Sequence, residues 1–319
     1  MTRESDHVAA LRALASSPAA RGLADDAAVL DFGGSDLVLT LDTLVEGVHF
    51  LSDDPPQDIG WKLVAVNVSD LSAKGAIPVG CLYSHALGES EWDAAFLEGL
   101  AAACTHFAIP LLGGDTVRMP AGAPRSFSLT ALGRGPAGRK PPERKDARPG
   151  DVIWVSGPIG DAGLGLAVLT GSVTTTPAAS LYLADRYRRP MPQPALGAAL
   201  APHVHAMMDV SDGLLVDAQR MARASGCAIA IDAQSVPLSD AAIALGGDTL
   251  EARLPAMTAG DDYCLLFSAS PASTEAILGI ADKLGAALHA IGTVSEGLGL
   301  SLTYLGSSVS LPERLGYEH

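Results

Sequence analysis

Cysteine is scarce in this chain. The four cysteines are widely scattered and include no C-x-x-C pair: Cys81, Cys104, Cys227 and Cys264. This spacing argues against a disulfide framework and against a structural zinc site. We therefore expect reduced, partly buried thiols, which are typical of a cytoplasmic protein.

Long apolar runs are also missing. No stretch reaches the roughly 18–20 uninterrupted apolar residues that a membrane span needs. Residues 1–7 are polar and lead into a short Ala/Leu-rich segment. This beginning does not have the pattern of a signal peptide. The sequence predicts a cytoplasmic protein with no membrane partner.

Positive charge is in short supply. The chain has 21 Lys and Arg against 36 Asp and Glu, a net charge of −15. Without a basic stripe we expect no nucleic-acid partner. An acidic site holds a phosphate ligand through bridging cations, of which Mg²⁺ is the usual one. Alternatively, the charge only keeps the protein in solution.

The common nucleotide-binding fingerprints are absent as well. There is no Walker A sequence, and residues 133–138 match G-x-G-x-x-G only formally. Pro141 and Pro142 follow this match, so the helix that a dinucleotide fingerprint requires cannot form. A nucleotide in this protein would have to be bound in another way.

The composition does support a folded α/β protein. Apolar residues make up 48% and charged residues 18% of 319 residues. That length favours two cores over one. Residues 135–149 are rich in Gly, Pro, Arg and Lys and indicate the connection between domains. We predict an N-terminal domain over 1–145 and a C-terminal α/β domain over 146–319.

The stretch from Leu37 to Phe50 organises the first domain. Leu37, Leu39 and Leu41 alternate with Val38, Thr40 and Asp42. This alternation predicts a strand whose leucines enter the core, with Thr40 and Asp42 on the opposite face. Asp42 then stands where the strand opens into a loop that contains His49. Ligands of α/β proteins often bind outside such strand ends.

Other acids occupy similar positions. Asp26 precedes a short strand, Asp70 shares a helix face with Asn67, and Asp115 follows a short buried strand ending at Leu112. In the second half, Asp209 ends a strand and Asp212 opens a helix capped by Ser211. The set that we expect to converge is Asp26, Asp42, Asp70, Asp115, Asp209 and Asp212.

Structural explanations remain open for some of these acids. Asp26 could belong to a solvated turn, Asp70 to an exposed helix face, and Asp212 could simply favour the helix dipole. Taken together, oxygen ligands in this number suit several Mg²⁺ ions. Such a set fits phosphoryl transfer without a P-loop, where catalysis is mainly positioning and charge neutralisation.

Six motifs, in order and at compatible spacing, resemble the thiamine-monophosphate kinases. They are 25–30 (DDAAVL), 42–50 (DTLVEGVHF), 66–76 (VNVSDLSAKGA), 113–116 (GGDT), 209–214 (DVSDGL) and 260–263 (GDDY). The resemblance implies the two-domain α/β (α+β) fold of aminoimidazole ribonucleotide synthetase, with mixed sheets flanked by helices. It also implies a homodimer, with the N-terminal domain binding ATP and Mg²⁺ and forming the dimer contact.

The same resemblance implies a role for each matching residue. It implies several Mg²⁺ ions held by Asp26, Thr40, Leu41, Asp42, Asp70, Asp115, Asp209 and Asp212. ATP, the co-substrate, would contact Gly114, Asp115, Arg144 and Ser211. The acceptor, thiamine monophosphate, would contact His49, Asp261 and Tyr317. The residues implied in catalysis are Asp42, Asp115 and Asp212.

The implied reaction is direct in-line transfer of the γ-phosphoryl group from ATP to thiamine monophosphate. The attacking phosphate oxygen is already ionised, so no general base is required. One alternative is another ATP-using enzyme of the same superfamily with a different acceptor. The other is a non-catalytic nucleotide or thiamine-phosphate binding protein.

The chain departs from the family at a few positions. Ala24 replaces a common Gly, and Leu41 replaces a common Thr, leaving only its backbone carbonyl for a metal. Asp261 is one methylene shorter than the common Glu, which concerns the acceptor contact. Arg314 stands where an aromatic residue is expected, so Tyr317 is the candidate for stacking on the acceptor.

Overall fold

The computed structural model describes residues 8–318 except residues 10 and 13. A first sheet is built from the N-terminal half, with strand order β1-β2-β5-β3-β4 and all pairs antiparallel except β3–β4. Its strands are β1 (Ala28–Phe32), β2 (Ser35–Val45), β3 (Ile77–Leu87), β4 (Leu111–Arg118) and β5 (Ser126–Arg134).

Two helices cover one face of this sheet, α1 (Pro56–Ala73) and α2 (Ser90–His106). Helix α1 is buried over nearly its whole surface, including the polar Asn67, Ser69 and Ser72. A helix buried all round lies between layers rather than on the outside. Helix α1 contacts β2 and β5 on one side and two elements of the second half, Pro194–Leu200 and Ala206–Asp209, on the other.

The second half forms a seven-stranded mixed sheet of order β12-β11-β8-β10-β6-β9-β7. Its strands are β6 (Val152–Val155), β7 (Ala206–Asp209), β8 (Ala228–Asp232), β9 (Leu265–Ala269), β10 (His289–Ser295), β11 (Gly299–Tyr304) and β12 (Ser307–Val309). Its helices are α3 (Asp161–Leu169), α4 (Pro177–Arg188), α5 (Pro194–Leu200), α6 (Leu214–Ser225), α7 (Asp240–Gly246), α8 (Leu250–Thr258) and α9 (Thr274–Leu284).

Short 3₁₀ helices complete the described chain: Pro18–Leu23, Ala201–His203, Ala233–Ser235 and Pro271–Ser273. The mixed α/β class and the two sheets flanked by helices confirm the predicted fold. Among the described residues, no helix has the length and apolarity to cross a bilayer.

The predicted orientation of β2 is wrong. Val38 and Thr40 are buried, whereas Leu41 is 60% exposed. Alternation shows that two faces differ, but it does not show which of them is covered. In this sheet α1 and α2 cover the face that carries Val38, Thr40 and Leu44, whereas Leu37, Leu39 and Leu41 lie on the open face.

The prediction of a buried strand that ends before Asp115 is also wrong. Strand β4 runs from Leu111 to Arg118 at the edge of the sheet and is exposed along its whole length. Gly114 lies inside this strand, where a Cβ atom would stand 1.8 Å from the carbonyl oxygen of Tyr83. The glycine therefore allows close strand pairing and does not mark a loop.

One helix boundary differs from the prediction. Helix α6 begins at Leu214 with Gly213 as N-cap, so Ser211 does not cap it.

Helix α4 has twelve residues. Its start carries the usual signals, because the Thr176 side chain accepts a hydrogen bond from Ala179 N and Pro177 follows the cap.

Candidate active site

Two cations and Asp26 meet where the domains join. Asp26 lies in the turn before β1, and its carboxylate pairs with Arg144 and, at 2.7 Å, with Lys74 Nζ. Burial opposes ionisation of Asp26, but the two cations outweigh it and hold its pKa well below the usual range. Asp26 is therefore a fixed negative charge at neutral pH.

Lys74 pairs with both Asp25 and Asp26. It follows the last turn of α1, is fully buried, and also contacts Asp25 Oδ1 at 2.6 Å and the Met207 carbonyl oxygen at 3.1 Å. Burial lowers its pKa, but Asp26 and Asp25 outweigh burial and raise the pKa above its ordinary value. Asp25 in turn pairs with Arg21.

Beside Asp26 and its two cations, three further carboxylates are crowded together. Burial raises the pKa of Asp42 to about 6, and the charges of Asp212 and Asp26 add to the effect. Burial likewise raises the pKa of Asp209 to about 8, helped by Asp26. The pKa of Asp70 is raised by burial and by Asp42 and Asp209. We call Asp26, Asp42, Asp70 and Asp209 the acid cluster.

Neighbouring side chains orient the acid cluster. The Thr40 hydroxyl donates to Asp70, and Ser69 Oγ donates to Asp209 Oδ2 at 2.5 Å. Asn67 Oδ1 accepts from the backbone N–H of Asp42 at 3.1 Å. The polar face of α1 that carries Asn67 and Asp70 therefore points at β2 and β7 rather than at solvent.

The turn after β7 brings Ser211 and Asp212 beside the acid cluster. Their backbone N–H groups both donate to Asp217 Oδ2, at 3.2 Å each. Arg220 bonds Asp217 Oδ1 at 2.8 Å and also pairs with Asp212. Asp217 is fully buried, and burial raises its pKa to about 7 even though the Arg220 charge opposes the shift.

The predicted acceptor contacts His49 and Asp261 share one partner, Lys62. Its Nζ lies 2.8 Å from Asp261 Oδ2 and 3.1 Å from the His49 carbonyl oxygen, and 4.0 Å from the centre of the Tyr187 ring. His49 Nδ1 accepts from Val45 N at 3.1 Å. The backbone N–H of Asp261 donates to the Ser211 carbonyl oxygen at 2.8 Å, so a predicted acceptor contact adjoins a predicted nucleotide contact.

Tyr317 also reaches this region. Its backbone N–H donates to the Asp212 carbonyl oxygen at 2.8 Å, and its side chain is 46% exposed. Arg314, in the position where the family tends to have an aromatic residue, is exposed. The backbone of Tyr317 therefore lies beside the turn that carries Asp212.

Gly114 and Asp115 are not brought to the acid cluster within this chain. Asp42 pairs with Leu129, Leu129 with Tyr83, and Tyr83 with Gly114, so three strand spacings separate Asp42 from Gly114. At about 4.8 Å per spacing this is about 14 Å. Asp115 is exposed and accepts from the backbone N–H of Thr116.

The donor set suits Mg²⁺ in a particular way. In the part of the chain that the structure describes, no three His, Cys, Asp or Glu side chains converge to hold one ion. Mg²⁺ usually takes one or two carboxylates and completes its shell with waters and substrate phosphates. The buried carboxylates of the acid cluster repel one another, and the nearby cations Lys74 and Arg144 already pair with Asp25 and Asp26. These carboxylates therefore fit that role.

Sequence reasoning missed two residues, Lys62 and Asp217. Lys62 lies between Trp61 and Leu63 in an apolar helix, and a lysine that is almost fully buried needs a partner. That partner, Asp261, is distant in sequence. Asp217 falls in the first turn of α6, where an acid normally only favours the helix dipole.

Two family models match most of the chain. The AIR synthase related protein N-terminal domain matches residues 24–135, and the C-terminal domain matches residues 148–305. The chain therefore belongs to the AIR synthase related proteins.

The relatives narrow this assignment. The chain is 41% identical over 327 residues to a thiamine-monophosphate kinase of Caulobacter vibrioides, covering 99% of this chain and 90% of that protein. The solved structure of AaThiL complexed with AMPPCP and TMP superposes with a TM-score of 0.84 at 29% identity, covering 99% and 97%. The thiamine-monophosphate kinase of Stenotrophomonas maltophilia K279a gives 0.79 at 39% identity, covering 95% and 96%. Within the larger group, the chain is a member of the thiamine-monophosphate kinase family.

Proposed function

We propose that this protein phosphorylates thiamine monophosphate to thiamine diphosphate with ATP. The observation that carries the proposal is the acid cluster beside the Ser211–Asp212 turn, in a chain 41% identical to a thiamine-monophosphate kinase. In this site Lys62 and Asp261 adjoin the same turn, so acceptor and nucleotide can meet at the carboxylates.

In this proposal the phosphates of ATP meet Arg144 and Ser211, and Gly114 and Asp115 of β4 complete the nucleotide contacts. Several Mg²⁺ ions would be held by Asp26, Asp42, Asp70, Asp209 and Asp212, with the Thr40 hydroxyl and the Leu41 carbonyl as further oxygen ligands. Asp115 would be the ligand from β4. Bound Mg²⁺ supplies charge neutralisation on the triphosphate.

The chain's own residues then act by positioning. Asp42, Asp115 and Asp212 fix where the phosphates lie, while His49, Asp261 and Tyr317 hold the acceptor. An ionised phosphate oxygen of thiamine monophosphate forms a bond to the γ-phosphorus in line with the bond that breaks. The β–γ bridging oxygen leaves with ADP, so no side chain has to accept a proton.

We further propose an N-terminal domain of residues 1–145 and a C-terminal domain of residues 146–319. We also propose a homodimer in which the first sheet forms the contact between the two copies. Its open face carries exposed apolar side chains, among them Leu41, Leu82 and Val79. Monomeric proteins rarely leave a broad apolar patch uncovered. A second copy on this face would also account for the distance of Gly114 and Asp115 from Asp42 in one protomer.

The test is ADP release by purified protein with Mg²⁺, ATP and thiamine monophosphate, with free thiamine as the control acceptor. We expect release only with the monophosphate, in step with thiamine diphosphate formation. Binding of both ligands without ADP release would instead identify a non-catalytic binding protein. Release with another phosphorylated acceptor alone would show that the fold serves a different substrate.

A further inference from the structure

The loop that carries His49 is attached to the second half of the chain. This loop, residues 46–55, joins β2 to α1. It contains Asp54, whose side chain is only 2% exposed. Asp54 Oδ1 accepts from Arg188 Nε at 2.6 Å, and Asp54 Oδ2 accepts from the backbone N–H of Leu51 at 2.8 Å. One buried carboxylate therefore shapes the loop and also joins it to the last residue of α4.

The backbone of His49 is held at the same boundary between the two halves. Tyr187, in the last turn of α4, is buried, and its Oη lies 3.5 Å from the His49 carbonyl oxygen. From the side of α1, Lys62 Nζ donates to the same oxygen at 3.1 Å. His49 therefore lies between α1 and the end of α4.

Stability alone explains the burial of this ion pair poorly. The desolvation of two charges offsets much of their attraction, and a buried pair replaced by apolar residues of similar volume often leaves a protein equally stable. A hydrogen-bonded ion pair does supply direction, because a guanidinium N–H and a carboxylate oxygen bond in a narrow range of geometries. The pair of Asp54 and Arg188 therefore limits the positions that residues 46–55 can take relative to α4.

We propose that Asp54 and Arg188 are positioning residues for the acceptor. This inference rests on the proposed function, in which His49 contacts thiamine monophosphate. The ion pair holds residues 46–55 against α4, so that His49 is already in place when the acceptor binds. A contact that is ordered beforehand loses less conformational freedom on binding. The pair therefore acts on the affinity for the acceptor and not on the affinity for ATP.

Three variants test the pair: Asp54→Asn, Arg188→Met and the two combined. Asp54→Asn keeps an oxygen for the Leu51 N–H and removes the charge, while Arg188→Met removes the guanidinium. We expect each to raise the KM for thiamine monophosphate about tenfold, with kcat and the KM for ATP changed less than about twofold. Because the two residues act as a unit, the double variant should have no higher acceptor KM than the single variants. The double variant leaves neither charge buried without a partner, so it serves as the test if Arg188→Met does not fold.

Arg189→Met is the matched control. Arg189 contacts α1 rather than residues 46–55, because its guanidinium lies 4.2 Å from the ring centre of Trp61 and its Nε lies 3.9 Å from Asp58 Oδ1. The control thus removes a contact between the two halves that does not involve the loop, and it should leave both KM values unchanged. Equal increases of the acceptor KM in Arg188→Met and Arg189→Met would overturn the proposal. So would an equal rise of the two KM values in Asp54→Asn.

Amide hydrogen exchange measures the loop directly. In the full-length protein, residues 46–55 should exchange faster in Asp54→Asn than in the wild type, whereas Arg189→Met should match the wild type over the same residues. Unchanged exchange of residues 46–55 in Asp54→Asn would show that the ion pair does not hold the loop, and would overturn the proposal.

Equilibrium binding separates this inference from the kinase proposal. Calorimetric titration of thiamine monophosphate into the full-length protein with Mg²⁺ and a non-hydrolysable ATP analogue needs no turnover. If ADP release fails but Asp54→Asn binds thiamine monophosphate about tenfold more weakly than the wild type, the positioning role stands and the kinase proposal falls. If the wild type releases ADP and Asp54→Asn binds the acceptor as tightly as the wild type, the kinase proposal stands and the positioning role is wrong.

Discussion

Carboxylates only a few residues or one strand apart behave differently in this site because different charges face them. Asp26 has Arg144 and Lys74 within ion-pair distance and keeps a lowered pKa. Asp42 faces mainly other carboxylates, and burial with their charges raises its pKa to about 6. Asp26 is thus a permanent negative charge, whereas ionised Asp42 would be stabilised by a bound cation.

For Asp42 we predict that Asp42→Asn lowers turnover at least about 100-fold, since it removes a charge from the proposed metal site. The fold should be unaffected, because the amide removes repulsion with Asp212 and still fills the space. Steady-state ADP release and thermal unfolding measure both effects, with Asp282→Asn on the exposed face of α9 as the control. Near wild-type turnover would remove Asp42 from the mechanism.

For Lys62 we predict that Lys62→Met raises the KM for the acceptor several-fold and leaves the KM for ATP unchanged. Asp261 and the His49 carbonyl would lose their shared donor, which we expect to lower the unfolding free energy by about 1–3 kcal/mol. Initial-rate kinetics with each substrate varied in turn, and urea unfolding, measure the change. Lys283→Met on exposed α9 is the control. An altered ATP dependence would contradict the proposed acceptor role.

The site residues show what sequence could reveal at this scale. Asp26, Asp42, Asp70 and Asp209 were predicted because each stands at an element boundary or on a polar helix face. The structure brings them together, and their role stays a prediction. Lys62 and Asp217 were not found, because their importance lies in partners that only the fold supplies. Asp115 belongs to the motif at residues 113–116, but its strand is three strand spacings from the strand of Asp42. No local sequence pattern encodes that distance.

Among the elements, the turn between β7 and α6 depends on a side chain from within the helix. Asp217 accepts the N–H groups of Ser211 and Asp212, and Arg220 links it to the Asp212 carboxylate. A turn with two donors fixed by one buried carboxylate keeps its shape when ligand is absent. In the proposed function, the turn is therefore preorganised for the nucleotide.

We predict that Asp217→Ala raises the KM for ATP about tenfold and lowers the unfolding free energy by about 2–4 kcal/mol, since two buried N–H groups and Arg220 lose their partner. Asp217→Asn keeps an oxygen for the N–H groups and should retain most of the ATP affinity. ATP titrations and urea unfolding of both variants measure this. The turn would be independent of Asp217 if Ala and Asn gave the same ATP affinity.

Elements were easier to predict than their orientation. Strand β2 and helix α1 follow from their patterns, since period 2 and period 3.6 are local properties. The buried side of β2 was predicted wrongly because leucines normally face the core, and the open face of this sheet is itself apolar. Strand β4 was placed in the core for the same reason. An apolar sheet face that no helix covers looks, in sequence, like a core face.

At the scale of the whole molecule, the raised pKa values couple stability to pH. Asp42, Asp217 and Asp209 have folded-state pKa values of about 6, 7 and 8, above their unfolded value near 4. Their carboxyl groups favour the folded state while protonated, and this contribution is lost as the pH rises through the folded pKa values. Deprotonation thus costs stability.

We therefore predict that, in EDTA, the unfolding free energy falls as the pH is raised from about 5 to about 9. Each unit of pKa shift corresponds to about 1.4 kcal/mol. Urea unfolding across this range measures the slope, and Asp209→Asn should flatten it at its upper end. A stability that is flat or rises over this range would show that these acids are not crowded as described.

The open face of the first sheet leads to a prediction about the oligomeric state of the protein. Leu41 and Leu82 both pair with Thr130 of the intervening strand β5, so they lie on either side of it on that face. We predict that Leu41→Asp combined with Leu82→Asp shifts the protein from twice 32.6 kDa to 32.6 kDa in light scattering, because it buries charge at the contact. Leu298→Asp, on the 82% exposed turn before β11, is the control. A wild-type monomer would refute the homodimer.

Helix α1 is shared by both halves of the chain. On one side it belongs to the core of the first sheet, and on the other Ser69 bonds Asp209 and Lys74 bonds the Met207 carbonyl. At Gly197 of α5 a Cβ atom would stand 2.0 Å from the Ser72 carbonyl oxygen, so the two helices touch at their backbones. Separating the two halves would therefore expose the second side of α1 to water. A hybrid that takes one half from a relative would keep this contact only if α1 and its complementary surface came from the same parent.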